Sequence, residues 1–252
     1  MAIIELRAWY LEHYEPLREV TQRPHDLRLS RSSLLKSGLR ADFLDDRHTV
    51  EEAAWFQRYL TGETVEFYLE GSGSYAIANL DLVSHEIYFA KQDSAASLEP
   101  TIFFSYQQEY AASSEALQAS LQQAIVDFNR RSRLPLSLVL AERPEDAPLR
   151  LSANQLRAIR KSLLFIADGT PIGLASGTGT RLLSPYICVE LGYALQCKQG
   201  NQILLAQLER LDGMLPFDLP GHQQLLFQAV TELPQTLPSL LEGLLKRFNL
   251  LA

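Results

Sequence analysis

The spacing of apolar residues predicts alternating strands and helices from about residue 100 onward. Four compact apolar runs have the length of buried strands, TIFFSY (101–106), LPLSLVLAE (134–142), LLFIAD (163–168) and NQILLAQ (201–207). Helical spacing follows or separates them over 113–132, 152–162, 184–197 and 237–250, whereas 221–230 fits a strand or a helix. This alternation predicts a parallel sheet covered on both faces, and right-handed crossovers restrict it to a doubly wound, flavodoxin-like α/β sheet.

The pattern in the first hundred residues differs. A broken helical stripe and a plausible capping box formed by Thr49 and Glu52 predict mainly helices up to residue 60. Three short aromatic and β-branched runs then predict a β-meander, TVEFYLE (64–70), SYAIANLDL (74–82) and HEIYFAK (85–91). The polar segment 92–100 ends in proline, as linkers do. We therefore expect an α+β N-terminal region over 1–95 and a separate α/β domain over 100–252.

Composition and charge narrow the classes of partner. The chain is 46% hydrophobic and 21% charged, which is ordinary for a soluble globular protein, and it has no apolar run long enough to span a membrane. The start of the chain does not resemble a signal peptide. The net charge of −7 lies within residues 1–100, which hold 10 basic and 17 acidic groups. This acidic balance argues against nucleic acid as a partner. The basic segment from Arg23 to Arg40 is interpreted as solvated surface, with phosphate contact as the alternative.

The two cysteines indicate a reducing compartment. Cys188 and Cys197 lie nine residues apart on one predicted helix, a rise of about 13 Å, which is too long for a disulfide. We interpret them as small apolar core residues of a cytoplasmic protein. No group of cysteines and histidines has the spacing of a metal site, so no bound metal is expected.

One acid stands out in the second half. Glu190 is the only charged side chain between Leu182 and Cys197, in a helix predicted to start at the N-cap Ser184 and Pro185. A carboxylate in such a setting must find a partner, become protonated or face a cleft, and acids placed in this way often perform chemistry. The alternative is a structural ion pair, for example with Arg160 or Arg181.

Ligands of open parallel sheets bind beyond the carboxyl ends of the strands. That rule selects Ser105 and Tyr106 after the first strand, Asp168 and Thr170 after the third, and the loop 173–183 that leads to Ser184. We expect Asp168 and Glu190 to approach one crevice. Asp168 has the alternative of closing its own turn by accepting backbone N–H groups. The hydroxyl-rich stretch 176–180 fits a phosphate-binding loop or a flexible surface loop.

Several motifs resemble one family. TIFFSY is similar to the first-strand motif of Toll/interleukin-1 receptor (TIR) domains, and the pattern of Ser184, Cys188, Glu190 and Leu191 resembles the TIR helix that carries a catalytic glutamate. SPYICVELGYA also resembles bacterial TIR-like nucleotide-binding proteins and the nucleoside 2-deoxyribosyltransferase group. LPFDL (215–219), with Gly221-His222, resembles a stretch of the TIR-like group. The resemblance covers about residues 100–250, and it departs at Tyr186-Ile187, where many TIR domains place tryptophan before the cysteine.

The resemblance implies cleavage of an N-glycosidic bond, with NAD or a related nucleotide as substrate or ligand and no other cofactor. Glu190 would stabilise or capture the oxocarbenium ion. The implied ligand contacts are Ser105, Tyr106, Asp168, Thr170, Ser184 and Phe217. Two alternatives stay open: a non-catalytic nucleotide sensor, and a TIR-type assembly module that forms homo-oligomers. The enzymatic hypothesis requires Glu190 to line an open crevice with Asp168 and Ser105, and it fails if Glu190 points into the core or pairs with an arginine.

Overall fold

The protein divides into two compact units, Met1–Leu98 and Glu99–Ala252. The structure is a computed structural model that describes residues 5–35, 38–92, 95–143 and 151–251. The boundary between the units falls inside the segment 92–100, which the sequence marks as a linker. Residues 93 and 94 of that segment lie outside the described residues.

The N-terminal unit is a six-stranded antiparallel barrel. Its strands are β1 (Glu5–Tyr10), β2 (Leu27–Leu35), β3 (Gly38–Phe43), β4 (Glu66–Leu69), β5 (Gly73–Asp81) and β6 (Glu86–Lys91), and its helices are α1 (Leu17–Val20), α2 (Arg47–Glu52) and α3 (Ala54–Leu60). The strand order is β1-β2-β3-β6-β5-β4, and pairing of β4 with β1 closes the barrel. Aliphatic and aromatic side chains such as Leu29, Phe43 and Phe67 fill the interior, together with Trp55 from α3.

The predicted β-meander corresponds to β4, β5 and β6, but the prediction of mainly helices before residue 60 is wrong. Three of the six barrel strands lie there. In β1, Ala8, Trp9 and Tyr10 are all buried, so the strand lacks the alternation that would have revealed it. The capping box is also wrong, because α2 begins at Arg47 after the N-cap Asp46, which places Thr49 inside the helix.

The C-terminal unit is built on five parallel strands flanked by helices. Its strands are β7 (Glu99–Ser105), β8 (Ser137–Leu140), β9 (Ser162–Asp168), β12 (Ile203–Leu208) and β13 (Gln224–Phe227), with a small hairpin of β10 (Gly173–Leu174) and β11 (Arg181–Leu182); its helices are α4 (Ala111–Asn129), α5 (Ala153–Lys161), α6 (Pro185–Cys197) and α7 (Leu233–Leu245). Helix α4 packs against α7, and α5 packs against α6. The alternation of strands and helices is compatible with a doubly wound α/β fold.

The strand order of this sheet locates its switch point. The order is β13-β12-β9-β7-β8, so the chain starts in β7, adds β8 on one side and then builds β9, β12 and β13 on the other. This is the order of flavodoxin-type sheets, in which ligands bind where the direction of winding reverses. The reversal lies between β7 and β9, whose carboxyl ends are Ser105 and Asp168.

Three further observations complete the description of the fold. The segment 221–230, which the pattern left undecided, contains the parallel edge strand β13. Strand β9 is buried along its whole length, as expected for a central strand covered on both faces. Within the part of the chain that the structure describes, no helix is long and apolar enough to cross a membrane.

Candidate functional site

The carboxylate of Glu190 is buried and paired with an arginine. Arg143 donates from Nη1 to Oε1 at 2.6 Å and from Nη2 to Oε2 at 3.0 Å. Ser105 Oγ donates to Oε2 at 2.5 Å, and Gln155 Nε2 donates to Oε1 at 2.5 Å. The Arg143 and Glu190 side chains are 1% and 0% exposed. Such a bidentate pair has a specific geometry. Removing one partner lowers the free energy of unfolding strongly, because it leaves the other charge buried without compensation.

Two tyrosine rings contact the same guanidinium. The Arg143 carbon Cζ lies 4.9 Å from the ring centroid of Tyr106 and 5.0 Å from that of Tyr186. Arg143 Nε and Nη2 also donate to the backbone carbonyl of Tyr106, at 2.9 Å and 2.6 Å. Cation–π attraction adds about 0.5–2 kcal/mol per ring, depending on desolvation. A carboxylate and two aromatic rings therefore form a site for a planar cation, and Arg143 supplies that cation.

One buried acceptor beside Glu190 has no donor. Gln155 Oε1 accepts no hydrogen bond from the residues that the structure describes, although the side chain is only 3% exposed. Gln155 Nε2 donates to Glu190, so this hydrogen bond sets the orientation of the Gln155 amide. An unsatisfied buried acceptor costs about 1–3 kcal/mol. A donor placed next to Glu190 would remove that cost.

Asp168 belongs to a separate hydrogen-bond network. Ser114 Oγ donates to Oδ2 at 2.6 Å, while Ser113 Oγ and the Thr170 backbone N–H donate to Oδ1 at 3.1 Å and 3.0 Å. Burial raises the pKa of the Asp168 carboxyl, and these hydrogen bonds oppose the rise. Thr170 Oγ1 in turn accepts the Leu208 N–H, so the network ties β9 to α4 and β12. Asp168 thus closes its own turn, and it shares no hydrogen-bond partner with Glu190 among the described residues.

The structure brings some of the predicted site residues together and separates others. Ser105 and Tyr106 meet at the Glu190 cluster, through the Ser105 hydroxyl and the contact of Tyr106 with Arg143. Ser184 is the N-cap residue of α6, but its hydroxyl makes no capping bond and donates to Glu109 Oε1 at 3.0 Å. Phe217 lines a cleft that Glu190 does not line. The His222 side chain, part of the quoted motif, lies outside the described residues.

Two other expectations, on the partner of Glu190 and on the cysteines, need correction. The arginine that pairs with Glu190 is Arg143, rather than Arg160 or Arg181. Cys188 is not a core residue, because α6 turns it to the surface, whereas Cys197 is half-buried and packs against the edge of the core.

The basic segment carries paired arginines where the structure describes their side chains. Arg23 lies near Glu15 and Asp26, Arg28 pairs with Asp45, and Arg40 pairs with Glu86. The side chains of 31–35 and residues 36 and 37 lie outside the described residues. The described arginines therefore fit the interpretation as solvated surface.

Sequence reasoning missed three residues of the Glu190 cluster. Arg143 follows β8 at the carboxyl edge of the sheet, and the rule that selected the loops after β7 and β9 applies equally there. Tyr186 was noted only as a departure from a family pattern. Gln155 carries no signal in the sequence, because an ordinary polar residue in a short helix is expected to face solvent.

Comparison with known proteins adds no assignment. No protein-family model matches this chain, and no curated protein matches it with significant similarity. Within the described ranges, no group of three or more histidine, cysteine, aspartate or glutamate side chains could hold a metal ion. The chemistry of the site must therefore be argued from its own residues.

Proposed function

We propose that the C-terminal unit is a TIR-like nucleotide-binding module whose ligand carries a planar cation, with NAD as the leading candidate. The observation that supports the proposal is the buried Glu190 carboxylate, which faces the guanidinium of Arg143 beside two tyrosine rings. The cluster includes Ser105 at the carboxyl end of β7, next to the switch point where flavodoxin-type sheets bind ligands. In this proposal the ligand cation replaces the guanidinium.

The energy of the ion pair limits the class of ligand. Leaving a buried Glu190 carboxylate without its cation would cost about 3–5 kcal/mol. A ligand that displaces Arg143 must therefore bring its own positive charge. The oxidised nicotinamide ring is a planar cation that can stack on tyrosine rings, and its carboxamide N–H suits the unpaired Gln155 Oε1. The reduced ring is neutral and lacks this compensation.

Cleavage of the N-glycosidic bond is the second candidate function, and only for a state in which Arg143 has left Glu190, because the arginine-paired carboxylate does not meet the condition for the enzymatic hypothesis. The contact between Ser105 Oγ and Glu190 favours it, because a hydroxyl beside a carboxylate suits the recognition of a ribose. In the reaction the bond from the ribose anomeric carbon to the ring nitrogen breaks, and its electron pair leaves with neutral nicotinamide. Water then adds its hydroxyl group to the anomeric carbon and releases its proton through Glu190 to solvent. While Arg143 covers Glu190, the carboxylate is closed to substrate, so turnover requires the exchange described above. This proposal assigns no ligand contact to Asp168, Thr170 or Ser184, whose ligand roles stay predictions from the sequence.

Discrimination between NAD and NADH tests the binding proposal. We expect isothermal titration of the whole chain to give saturable NAD binding and at least about tenfold weaker NADH binding, since the missing charge is worth more than about 1.4 kcal/mol. Glu190→Gln should remove the preference. Glu115→Gln, an exposed change of the same kind on α4, is the matched control. Equal affinity for the two nucleotides, or no affinity for either, contradicts the proposal.

Product analysis separates the functions. Release of nicotinamide from NAD that disappears in a folded Glu190→Gln variant supports cleavage. Saturable NAD binding without nicotinamide release supports a non-catalytic sensor. Oligomers that form with rising protein concentration, without NAD binding, identify an assembly module and reject nucleotide recognition by this site.

A further inference from the structure

The cleft that Phe217 lines in the C-terminal unit does not include the residues that contact Glu190. It has a volume of about 530 Å³ and is formed where the chain continues after β12. Its lining includes Arg181, Met214, Leu215, Phe217, Asp218 and Gln224. This volume is sufficient for a small organic ligand.

Arg181 differs from Arg143 in that no described residue pairs with its guanidinium. Among the described residues it forms no side-chain hydrogen bond, ion pair or ring contact, and its Nε is buried without an acceptor. A buried donor without an acceptor costs about 1–3 kcal/mol, and more when the group is charged. The guanidinium fork matches the oxygens of a phosphate or carboxylate. Arg181 therefore presents an unused anion-binding group to the cleft.

The backbone holds Arg181 against the opposite wall of the cleft. Its N–H donates to the Met214 carbonyl at 2.8 Å, which joins β11 to the segment 213–219. Gly213 has φ of +139°, and a Cβ there would lie 2.3 Å from the Gly179 carbonyl oxygen. Only glycine permits this close approach. The position of Arg181 thus follows from backbone packing rather than from a flexible loop.

We propose that this cleft binds a phosphate ester that carries an aromatic ring, a mononucleotide being the class that fits. The phosphate would accept hydrogen bonds from Arg181, while the ring packs on half-buried Phe217 and the exposed Met214. Asp218 also lines the cleft, but its side chain is exposed, so water and salt screen its repulsion. This site does not depend on whether Glu190 binds a nucleotide.

Titration of AMP and adenosine into the whole chain tests the phosphate site. We expect AMP to bind more tightly than adenosine, and Arg181→Gln to weaken AMP binding by about 10-fold to 100-fold, because charge-assisted hydrogen bonds are worth about 1.5–3 kcal/mol. Adenosine binding should not change. Arg130→Gln makes the same charge change at an exposed position and should leave AMP binding unaltered.

A second substitution at position 181 and a comparison with NAD binding distinguish the possible outcomes. Arg181→Lys retains the charge but loses the fork, so it should give an intermediate affinity for AMP and guards against misfolding of the glutamine variant. The preference for NAD over NADH should persist in Arg181→Gln, which separates this proposal from the NAD proposal. Absence of AMP binding, equal binding of AMP and adenosine, or equal effects of Arg181→Gln and Arg130→Gln would each overturn it.

Discussion

The two buried acids at the carboxyl edge of the parallel sheet are satisfied in different ways. Glu190 faces the positive charge of Arg143, with Ser105 and Gln155 as additional donors. Among the residues that the structure describes, Asp168 has only hydroxyl groups and a backbone N–H as partners, and burial raises the pKa of its carboxyl. Both side chains are fully buried, so burial alone does not distinguish a structural acid from a candidate binding group.

The difference lies in what could replace each partner. The donors to Asp168 come from the start of α4 and from its own turn, so exchanging them would disrupt the scaffold. The main partner of Glu190 is a single cationic side chain beyond the end of β8. A ligand cation that takes the place of that side chain removes its contacts with Tyr106, Tyr186 and Glu190 but no hydrogen bond between strands or within a helix. The proposed ligand therefore binds at Glu190 rather than at Asp168.

The largest expected effect is from Arg143→Met. It leaves a buried carboxylate without its cation, so we expect the C-terminal unit to lose about 3–5 kcal/mol of unfolding free energy. Urea unfolding followed by far-UV circular dichroism measures this, because the long helices α4, α6 and α7 lie in that unit. Trp9 and Trp55, the only tryptophans, report on the N-terminal unit by fluorescence.

The double variant Arg143→Met with Glu190→Leu is the control for this prediction. It removes both charges, and we expect it to recover most of the lost stability, since apolar replacements of buried ion pairs are often neutral or stabilising. A loss below about 1 kcal/mol in Arg143→Met would contradict the buried pair.

A smaller loss is expected from Asp168→Ala. The change leaves the neutral donors of Ser113, Ser114 and Thr170 unsatisfied, which we expect to cost about 1–3 kcal/mol by urea unfolding. Asp168→Asn retains an acceptor and should cost less. If Asp168→Ala were as damaging as Arg143→Met, the difference between the two acids would be lost.

The pH dependence of stability tests the assignment of Asp168. Burial raises the pKa of Asp168 above its ordinary value of 3.8, so the native state binds the proton more tightly than the unfolded chain. The stability from this group is present below pH 3.8 and decreases as pH rises through the raised native pKa, by at most about 1.4 kcal/mol per pH unit. Asp168→Asn should remove this decrease, as measured by urea unfolding across that range. An unchanged slope in Asp168→Asn would contradict the assignment.

The smallest effects come from one hydroxyl on each acid. Ser105→Ala should cost about 1 kcal/mol, because Arg143 still contacts both Glu190 oxygens. Ser114→Ala should cost more, about 2 kcal/mol, since Asp168 has no cation to compensate and the hydroxyl also accepts the Gln107 N–H. Thermal unfolding ranks the two variants, and the reverse order would contradict the comparison.

Much of the C-terminal unit could be predicted from its sequence, whereas the N-terminal unit could not. Compact apolar runs and amphipathic segments identified β7, β9, β12 and the helices between them, because a sheet covered on both faces leaves a strong periodic signal. In the barrel, strands such as β1 are buried on both faces at one end, and their aromatic residues imitate a helical stripe. Closure through β1 and β4 joins segments about sixty residues apart, which no local pattern reveals.

By itself, the sequence determined that Glu190 is the only charged residue in an apolar helical segment, where it must find a partner, become protonated or face a cleft. It also predicted that Ser105 and Asp168 lie at the ends of two strands of a parallel sheet, whereas the adjacency of those strands comes from the tertiary structure. Only the tertiary structure decided that the partner is Arg143, that Gln155 joins it, and that Asp168 is held by serine hydroxyls instead. These choices depend on contacts between segments distant along the chain, and such contacts follow from how the strands are ordered and packed.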